Sequence, residues 1–152
     1  MKIVIQRVTE AAVRIGGESV GAIGTGLLAL VGVDVDDTDE DALRLAAKTV
    51  SLRIFNDDEG VMNRSLLDVG GDVLAVSQFT LLASTRKGNR PSYVRAARHE
   101  LATRLYELYM AEVERLTGRH VERGRFGADM AVSLVNDGPV TIILESRGGN
   151  MC

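Results

Sequence analysis

The segment Asn136-Asp137-Gly138-Pro139-Val140-Thr141 lies between two runs of alternating apolar residues, 131–135 and 140–144. An Asp-Gly pair between such runs is typical of a tight β-hairpin. Pro139, however, has no N–H group, so it cannot donate the bond that closes a turn centred on the Asp-Gly pair. A Gly-Pro bond can be cis at modest cost, and a cis bond here could project two carbonyls outward as a rigid recognition element. The alternative is an irregular hairpin with a purely structural role.

A second informative segment begins with the short apolar run 73–76, which is typical of a buried strand. The run leads into Ser77-Gln78-Phe79-Thr80-Leu81 and then into a polar, basic loop. Taken alone, hydroxyls at a strand end are expected to satisfy nearby backbone groups. In combination with the Gly-Pro segment, they indicate a functional site.

The amino-terminal part of the chain predicts a β-meander. Four strands are expected over residues 2–9, 11–15, 19–23 and 27–33, separated by Glu10 and by glycine-containing turns. A helix then follows an acidic stretch, with Thr38 as its expected cap and with Leu43, Ala46, Ala47 and Val50 as its apolar face.

The same acidic stretch does not fit a calcium-binding loop. Counting from Asp34 places Asp39 where such a loop needs glycine, and it places Leu45 where the loop needs its final glutamate.

The clearest helix is expected between Ser92, as its cap, and Gly118, as its end. Its apolar stripe comprises Ala97, Leu101, Leu105, Leu108 and Leu116. Further strands are expected over residues 120–125, 130–135 and 140–145, and residues 148–150 are expected to form a frayed tail. The prediction is therefore an α+β fold: one strand-rich domain over residues 1–152, with mostly antiparallel, barrel-like β-structure and two main helices.

Composition limits the function. The 152 residues carry a formal net charge of −3, which argues against a general nucleic-acid coat and leaves room only for a local basic patch. The single cysteine, Cys152, cannot form an internal disulfide, and the amino terminus shows no signal-peptide pattern. The longest apolar stretch, residues 27–33, is too short to cross a bilayer. We expect a cytoplasmic protein without a membrane role.

Few residues offer conventional catalytic chemistry. The two histidines, His99 and His120, lie in no cluster with the spacing of metal ligands, so we expect no metal and no cofactor. No Gly-x-Ser-x-Gly motif supports a Ser-His-Asp triad. His99 is most simply a solvated helix residue.

Several segments, taken in order, closely resemble the D-aminoacyl-tRNA deacylases, also called D-tyrosyl-tRNA deacylases. The resemblance covers essentially the whole chain. The matching segments are Ile5-Gln6-Arg7-Val8, residues 77–81, Arg90-Pro91-Ser92, residues 124–130 and residues 132–141.

The resemblance implies hydrolysis of the ester of D-aminoacyl-tRNA, and of mischarged glycyl-tRNA, as chiral proofreading in translation. Ser77, Gln78, Phe79 and Thr80 would supply backbone N–H groups and hydroxyls near the scissile carbonyl. Because the ester is activated and the neighbouring ribose hydroxyl can assist water, geometry and an oxyanion hole could suffice. We prefer a supporting role for Thr80, since no base for its hydroxyl can be named.

The resemblance further implies that the Gly138-Pro139 bond is cis and enters the active site of the other subunit of a homodimer. Its carbonyls would hold the substrate amino group and exclude an L side chain. Arg7 could orient the pair, and its alternative role is that of a surface charge at a strand edge.

Two regions are expected to meet the tRNA 3′ end, and we expect no DNA partner. Arg86, Lys87 and Arg90 could contact phosphates, unless this loop is merely solvated. Phe126 and Met130 could pack on the terminal adenine, although Phe79 and Phe126 could equally be core residues. Two other functions stay open: a non-catalytic module that binds charged tRNA ends, and a relaxed editor of glycine or small L amino acids.

Overall fold

The structure, a computed structural model, describes residues 1–152. The strands are β1 (Lys2–Ile15), β2 (Glu18–Ile23), β3 (Gly26–Gly32), β4 (Phe55–Asn56), β5 (Met62–Arg64), β6 (Asp72–Ser77), β7 (Glu122–Arg123), β8 (Ala131–Arg147) and β9 (Asn150–Met151). The helices are α1 (Asp39–Ser51), α2 (Leu66–Val69) and α3 (His99–Thr117), and a 3-10 helix covers Phe79–Leu82. The predicted α+β fold with two main helices is confirmed.

One sheet of seven strands organises the molecule, in the order β7-β6-β3-β1-β8-β9, with β2 also paired to β1. The pairs that involve β1 are antiparallel, whereas β6 runs parallel to both β3 and β7. The predicted break at Glu10 is wrong, because β1 continues through it and merely changes neighbours from β3 to β2. The first three strands therefore replace the four that the sequence predicts.

The sheet curls so strongly that β2 approaches β7. A Cβ atom added to Gly21 in β2 would lie 2.8 Å from the carbonyl oxygen of Arg123, so only glycine permits this contact. The outer face of the curl packs against α1 and α3 in a core of 24 residues. A second core of 7 residues, which includes Val13 and Leu74, fills the other face. The barrel-like prediction is thus confirmed.

The helix α1 begins after Thr38, as predicted, but its buried face differs from the predicted stripe. Leu43 and Ala47 are exposed, whereas Leu45 and Asp41 are buried. Asp41 holds this face inward, because its carboxylate accepts hydrogen bonds from the cap of its own helix and from two residues near the carboxyl terminus. The donors are the Thr38 backbone N–H at 2.9 Å, the Ser146 hydroxyl at 2.6 Å and the Gly149 backbone N–H at 2.8 Å.

The helix α3 ends at Gly118 in a left-handed conformation, as predicted, but it begins at His99 rather than after Ser92. Ser92 is unavailable as a cap because its backbone exchanges two hydrogen bonds with Ser84, at 2.8 and 2.9 Å. The chain then passes the residues just after β3, where the Ala97 N–H donates to the Val33 carbonyl at 2.9 Å.

The carboxyl-terminal predictions need two corrections. The strand predicted over residues 120–125 is shortened to β7, and the two strands predicted around residues 136–141 form the single long strand β8. The tail is not frayed, because β9 pairs with the end of β8 and the Gly149 N–H binds Asp41. None of the helices combines the length and the apolar character that a membrane span requires.

Candidate active site

The segment 136–141 is a protruding loop within one strand, not a hairpin. Asn136 pairs with Val8 of β1 and Thr141 pairs with Gln6, so both sides of the segment lie along the same partner strand. The four residues between them bulge out of the sheet. The Asn136 side chain closes the loop, since its Nδ2 donates to the Val140 carbonyl at 3.2 Å and its Oδ1 accepts from the Val140 N–H at 2.7 Å. The hairpin interpretation is therefore wrong.

The Gly138-Pro139 peptide bond is cis, the geometry that the resemblance implies. Gly138 itself has a φ angle of +144°, which side chains rarely adopt. A Cβ atom there would also lie 2.8 Å from the Val140 side chain and 3.2 Å from Arg7 Nη2. The loop conformation consequently requires glycine at position 138.

Arg7 ties this loop to the body of the protein. Its Nε donates to the Asp137 carbonyl at 2.8 Å, and its Nη1 donates to the Ile54 carbonyl at 2.7 Å and to Asn56 Oδ1 at 3.3 Å. The side chain is only 6% exposed, and β1 is an interior strand of the sheet with neighbours on both sides. The alternative role of Arg7 as a strand-edge surface charge is therefore wrong.

The segment 77–80 forms a turn at the carboxyl end of β6. The Gln78 N–H donates to the Val31 carbonyl at 2.7 Å, and the Leu81 N–H then donates back to the Gln78 carbonyl at 3.2 Å, which opens the 3-10 helix. The N–H groups of Phe79 and Thr80 precede the first bond of this helix and so remain available to an acceptor. Two adjacent, unpaired backbone donors are the composition of an oxyanion hole.

Thr80 has the hydrogen bonding of a donor rather than a nucleophile. Its Oγ1 accepts a hydrogen bond from Gln78 Nε2, and the hydroxyl proton is left free to donate. No carboxylate or imidazole accepts that proton within the chain, and a hydroxyl without a base is a weak nucleophile. The geometry favours the supporting role that we prefer for Thr80.

A cavity of about 430 Å³ adjoins this turn, and most of its lining residues are hydrophobic. Ser77, Gln78 and Phe79 line one end, while Phe126 and Met130 line its wall. Phe79 is 57% exposed and meets Tyr93 edge-to-face, with ring centroids 5.1 Å apart, so its alternative assignment to the core is wrong. Phe126 is partly buried and also packs against the core.

Two further residues, His99 and Tyr106, line the same cavity, and the sequence had not indicated a site role for either. Their rings contact Phe126 from two sides, at centroid distances of 5.1 and 6.0 Å. Burial raises the pKa of Tyr106 to about 12, and its hydroxyl donates to the Ala75 carbonyl at 2.9 Å. Tyr106 is therefore a fixed, neutral part of the wall. Only the packing of α3 on the sheet reveals these contacts.

The structure does not bring all the predicted residues together in one chain. Gly138 and Pro139 do not line the 430 Å³ cavity of their own chain. Arg86, Lys87 and Arg90 are exposed on the loop that follows the 3-10 helix, and the ion pairs of the chain involve other basic residues. No group of three or more histidine, cysteine or acidic side chains is arranged to hold a metal ion.

Sequence comparison assigns the chain to a known class. The family model described as D-Tyr-tRNA(Tyr) deacylase matches residues 4–145. A D-aminoacyl-tRNA deacylase of Akkermansia muciniphila is 59% identical over 147 residues, which make up 97% of this chain and 98% of that one. A D-aminoacyl-tRNA deacylase of Chromobacterium violaceum is 56% identical over 147 residues, with the same coverage of 97% and 98%.

Two solved structures share the fold. One, titled c-Myc DNA Unwinding Element Binding Protein, has a TM-score of 0.90 and 39% identity, covering 97% of this chain and 100% of that chain. The other, a probable eukaryotic D-amino acid tRNA deacylase, has a TM-score of 0.81 at 18% identity, covering 93% and 97% of the two chains, and it supports the fold alone. The protein is a hydrolase that acts on the ester bond of aminoacyl-tRNA. It belongs to the D-aminoacyl-tRNA deacylase family.

Proposed function

We propose that this enzyme removes D amino acids, and glycine, from tRNA and rejects L-aminoacyl-tRNA by means of the main chain at Gly138-Pro139. The observation that carries the proposal is the anchored loop itself. It protrudes from β8, it is held by Arg7 and Asn136, and it lies apart from the cavity of its own chain. A loop held in this way is suited to enter the cavity of a second copy.

The segment 77–80 would carry out the hydrolysis. Water adds to the ester carbonyl, and the N–H groups of Phe79 and Thr80 stabilise the resulting oxyanion. The oxyanion then collapses and the ester C–O bond breaks. The departing ribose oxygen takes up the proton that the attacking water releases, with the neighbouring ribose hydroxyl assisting the transfer. The products are the free amino acid and intact tRNA. Ser77 and the Thr80 hydroxyl would orient the water and the substrate.

Chirality would be read by exclusion. The carbonyls of the loop would accept hydrogen bonds from the substrate ammonium group and occupy the space into which an L side chain projects. A D side chain points away, so its identity has little influence, and glycine has no side chain to exclude. Fixed backbone atoms therefore admit many substrates of one hand.

The proposed active unit is a homodimer in the cytoplasm, in which residues 1–152 act as one domain and each site combines two chains. Phe126 and Met130 would hold the terminal adenine, because both line the cavity beside the segment 77–80. The exposed Arg86, Lys87 and Arg90 would contact phosphates of the 3′ end. This arrangement calls for a single-stranded RNA end rather than duplex DNA.

The decisive test is a deacylation assay with D-tyrosyl-, L-tyrosyl- and glycyl-tRNA. We expect rapid release from the D and glycyl substrates and no release above the spontaneous rate from L-tyrosyl-tRNA. Rapid release of L-tyrosine would contradict the chiral filter and support the relaxed editor instead. Sedimentation with parallel rate measurements tests the dimer, since full activity in a monomer would exclude a shared site.

A further inference from the structure

His99 lies at the edge of the cavity and contacts its wall. It is the first residue of α3, its side chain is exposed, and it lines the same cavity as Ser77, Gln78 and Phe79. Its imidazole ring meets Phe126 edge-to-face, with centroids 5.1 Å apart and an interplanar angle of 78°. A solvated helix residue, the role expected from sequence, need not contact an aromatic ring in the cavity.

Contacts with the sheet fix the position of Phe126, the ring that His99 meets. Phe126 also packs against Tyr106, with centroids 6.0 Å apart, and the Tyr106 hydroxyl donates to the Ala75 carbonyl in β6 at 2.9 Å. The backbone just before His99 is held as well, since the Ala97 N–H donates to the Val33 carbonyl. The three rings thus form a row from β6 to the solvent, with His99 at the outer end.

We propose that His99 is a positioning residue for the terminal nucleoside of the tRNA, holding the purine base together with Phe126. The inference rests on the proposed function and extends it to His99, which lies outside the short sequence segments that first indicated the family. Unpaired bases of RNA are commonly held by aromatic and histidine rings. An imidazole adds a donor and an acceptor for the edge of the base, which phenylalanine lacks. Because the base lies away from the ester, His99 acts on substrate binding and not on bond cleavage.

The test compares His99→Ala with wild type in steady-state deacylation of D-tyrosyl-tRNA. We expect KM to rise about five-fold, which is about 1 kcal/mol at 25 °C, with kcat within about two-fold of wild type. His99→Phe should recover most of the loss, because it keeps the ring. His120→Ala is the matched control, since His120 lies outside this cavity and contacts Glu114.

A binding measurement separates this proposal from the proposed function. Calorimetric titration with AMP should show weaker binding to His99→Ala by the same factor, while ribose 5-phosphate, which lacks the base, should bind both proteins equally. Equal AMP affinities, or a loss of kcat at unchanged KM, would overturn the role of His99. Failure of the wild type to distinguish D- from L-tyrosyl-tRNA would instead contradict the proposed function. The AMP titration would still test the role of His99 in that case. Thermal unfolding of each variant identifies a change that acts only through stability.

Discussion

Replacing Arg7 by methionine should release the Gly138-Pro139 loop while leaving the apolar part of the side chain in place. The guanidinium makes two short hydrogen bonds, to the carbonyls of Asp137 at 2.8 Å and Ile54 at 2.7 Å, and a longer one to Asn56 at 3.3 Å. Hydrogen bonds of a charged donor contribute about 1.5–3 kcal/mol each. Since the freed carbonyls can partly regain water, we expect a net loss of about 3 kcal/mol.

This loss has two measurable consequences. Urea unfolding should show a free energy of unfolding about 3 kcal/mol lower for Arg7→Met than for wild type. If half or more of that energy anchors the loop, the population of molecules with a displaced loop rises at least about ten-fold. Because a displaced loop no longer excludes L side chains, the ratio of the L- to the D-tyrosyl-tRNA deacylation rate should rise by a similar factor. The matched control is Arg14→Met, because Arg14 lies on the same strand with an exposed side chain. Equal stability and an unchanged ratio for both variants would refute the anchoring role of Arg7.

Three other predictions concern the chemistry, the tRNA contact and the fold. Thr80→Ala should lower kcat by no more than about 100- to 1,000-fold, the cost of one hydrogen-bond donor, and trapping of an acyl-enzyme on Thr80 would contradict this. Arg86→Ala, Lys87→Ala and Arg90→Ala should each reduce the salt dependence of tRNA affinity by about one unit of slope, whereas three unchanged slopes would mean that the loop is only solvated. Burial alone would raise the pKa of Asp41, but the hydrogen bonds to its carboxylate lower this pKa from 3.8 to about 2. Ionised Asp41 therefore stabilises the fold above about pH 4, and this contribution is lost as the pH falls towards 2. Between about pH 4 and pH 2, the free energy of unfolding should therefore fall by about 2 kcal/mol less for Asp41→Asn than for wild type. Parallel plots of this free energy against pH for the two proteins would exclude the effect.

Local signals predicted the parts of the fold that depend on neighbouring residues. The run 73–76 is a buried strand, and α3 ends at Gly118, where only glycine readily adopts the left-handed conformation. In contrast, Ser92 has the chemistry of a helix cap but is engaged by Ser84 in a backbone bridge. The tail is ordered because Gly149 reaches the buried carboxylate of Asp41. These outcomes depend on partners that sequence spacing does not identify.

The candidate site shows the same difference between local signals, which the sequence reveals, and contacts between distant segments, which it does not. The sequence indicated residues 77–80 and 126–130 separately, and the structure places residues 77–79 and 126–130 around one cavity, with Thr80 adjoining it in the 3-10 helix. It gave no signal for His99 or Tyr106, because their contacts with Phe126 arise only when α3 packs on the sheet. The hairpin prediction failed for a similar reason. A two-residue turn is a local property, whereas the pairing of both flanking runs with β1 is not.

A chiral filter made of backbone atoms places a strict demand on the loop that carries it. The filter must reject a group attached at the α-carbon of the substrate, so its atoms must keep their positions within about 0.5 Å. A four-residue bulge cannot do this through its own contacts, because the β1 ladder is interrupted beside it. Arg7 meets the demand by joining the bulge to Ile54 and Asn56 at the β4 end, and Asn136 closes the bulge from within. In the proposed mechanism, selectivity therefore depends on Arg7 and Asn136, whose side chains hold the loop without touching the substrate.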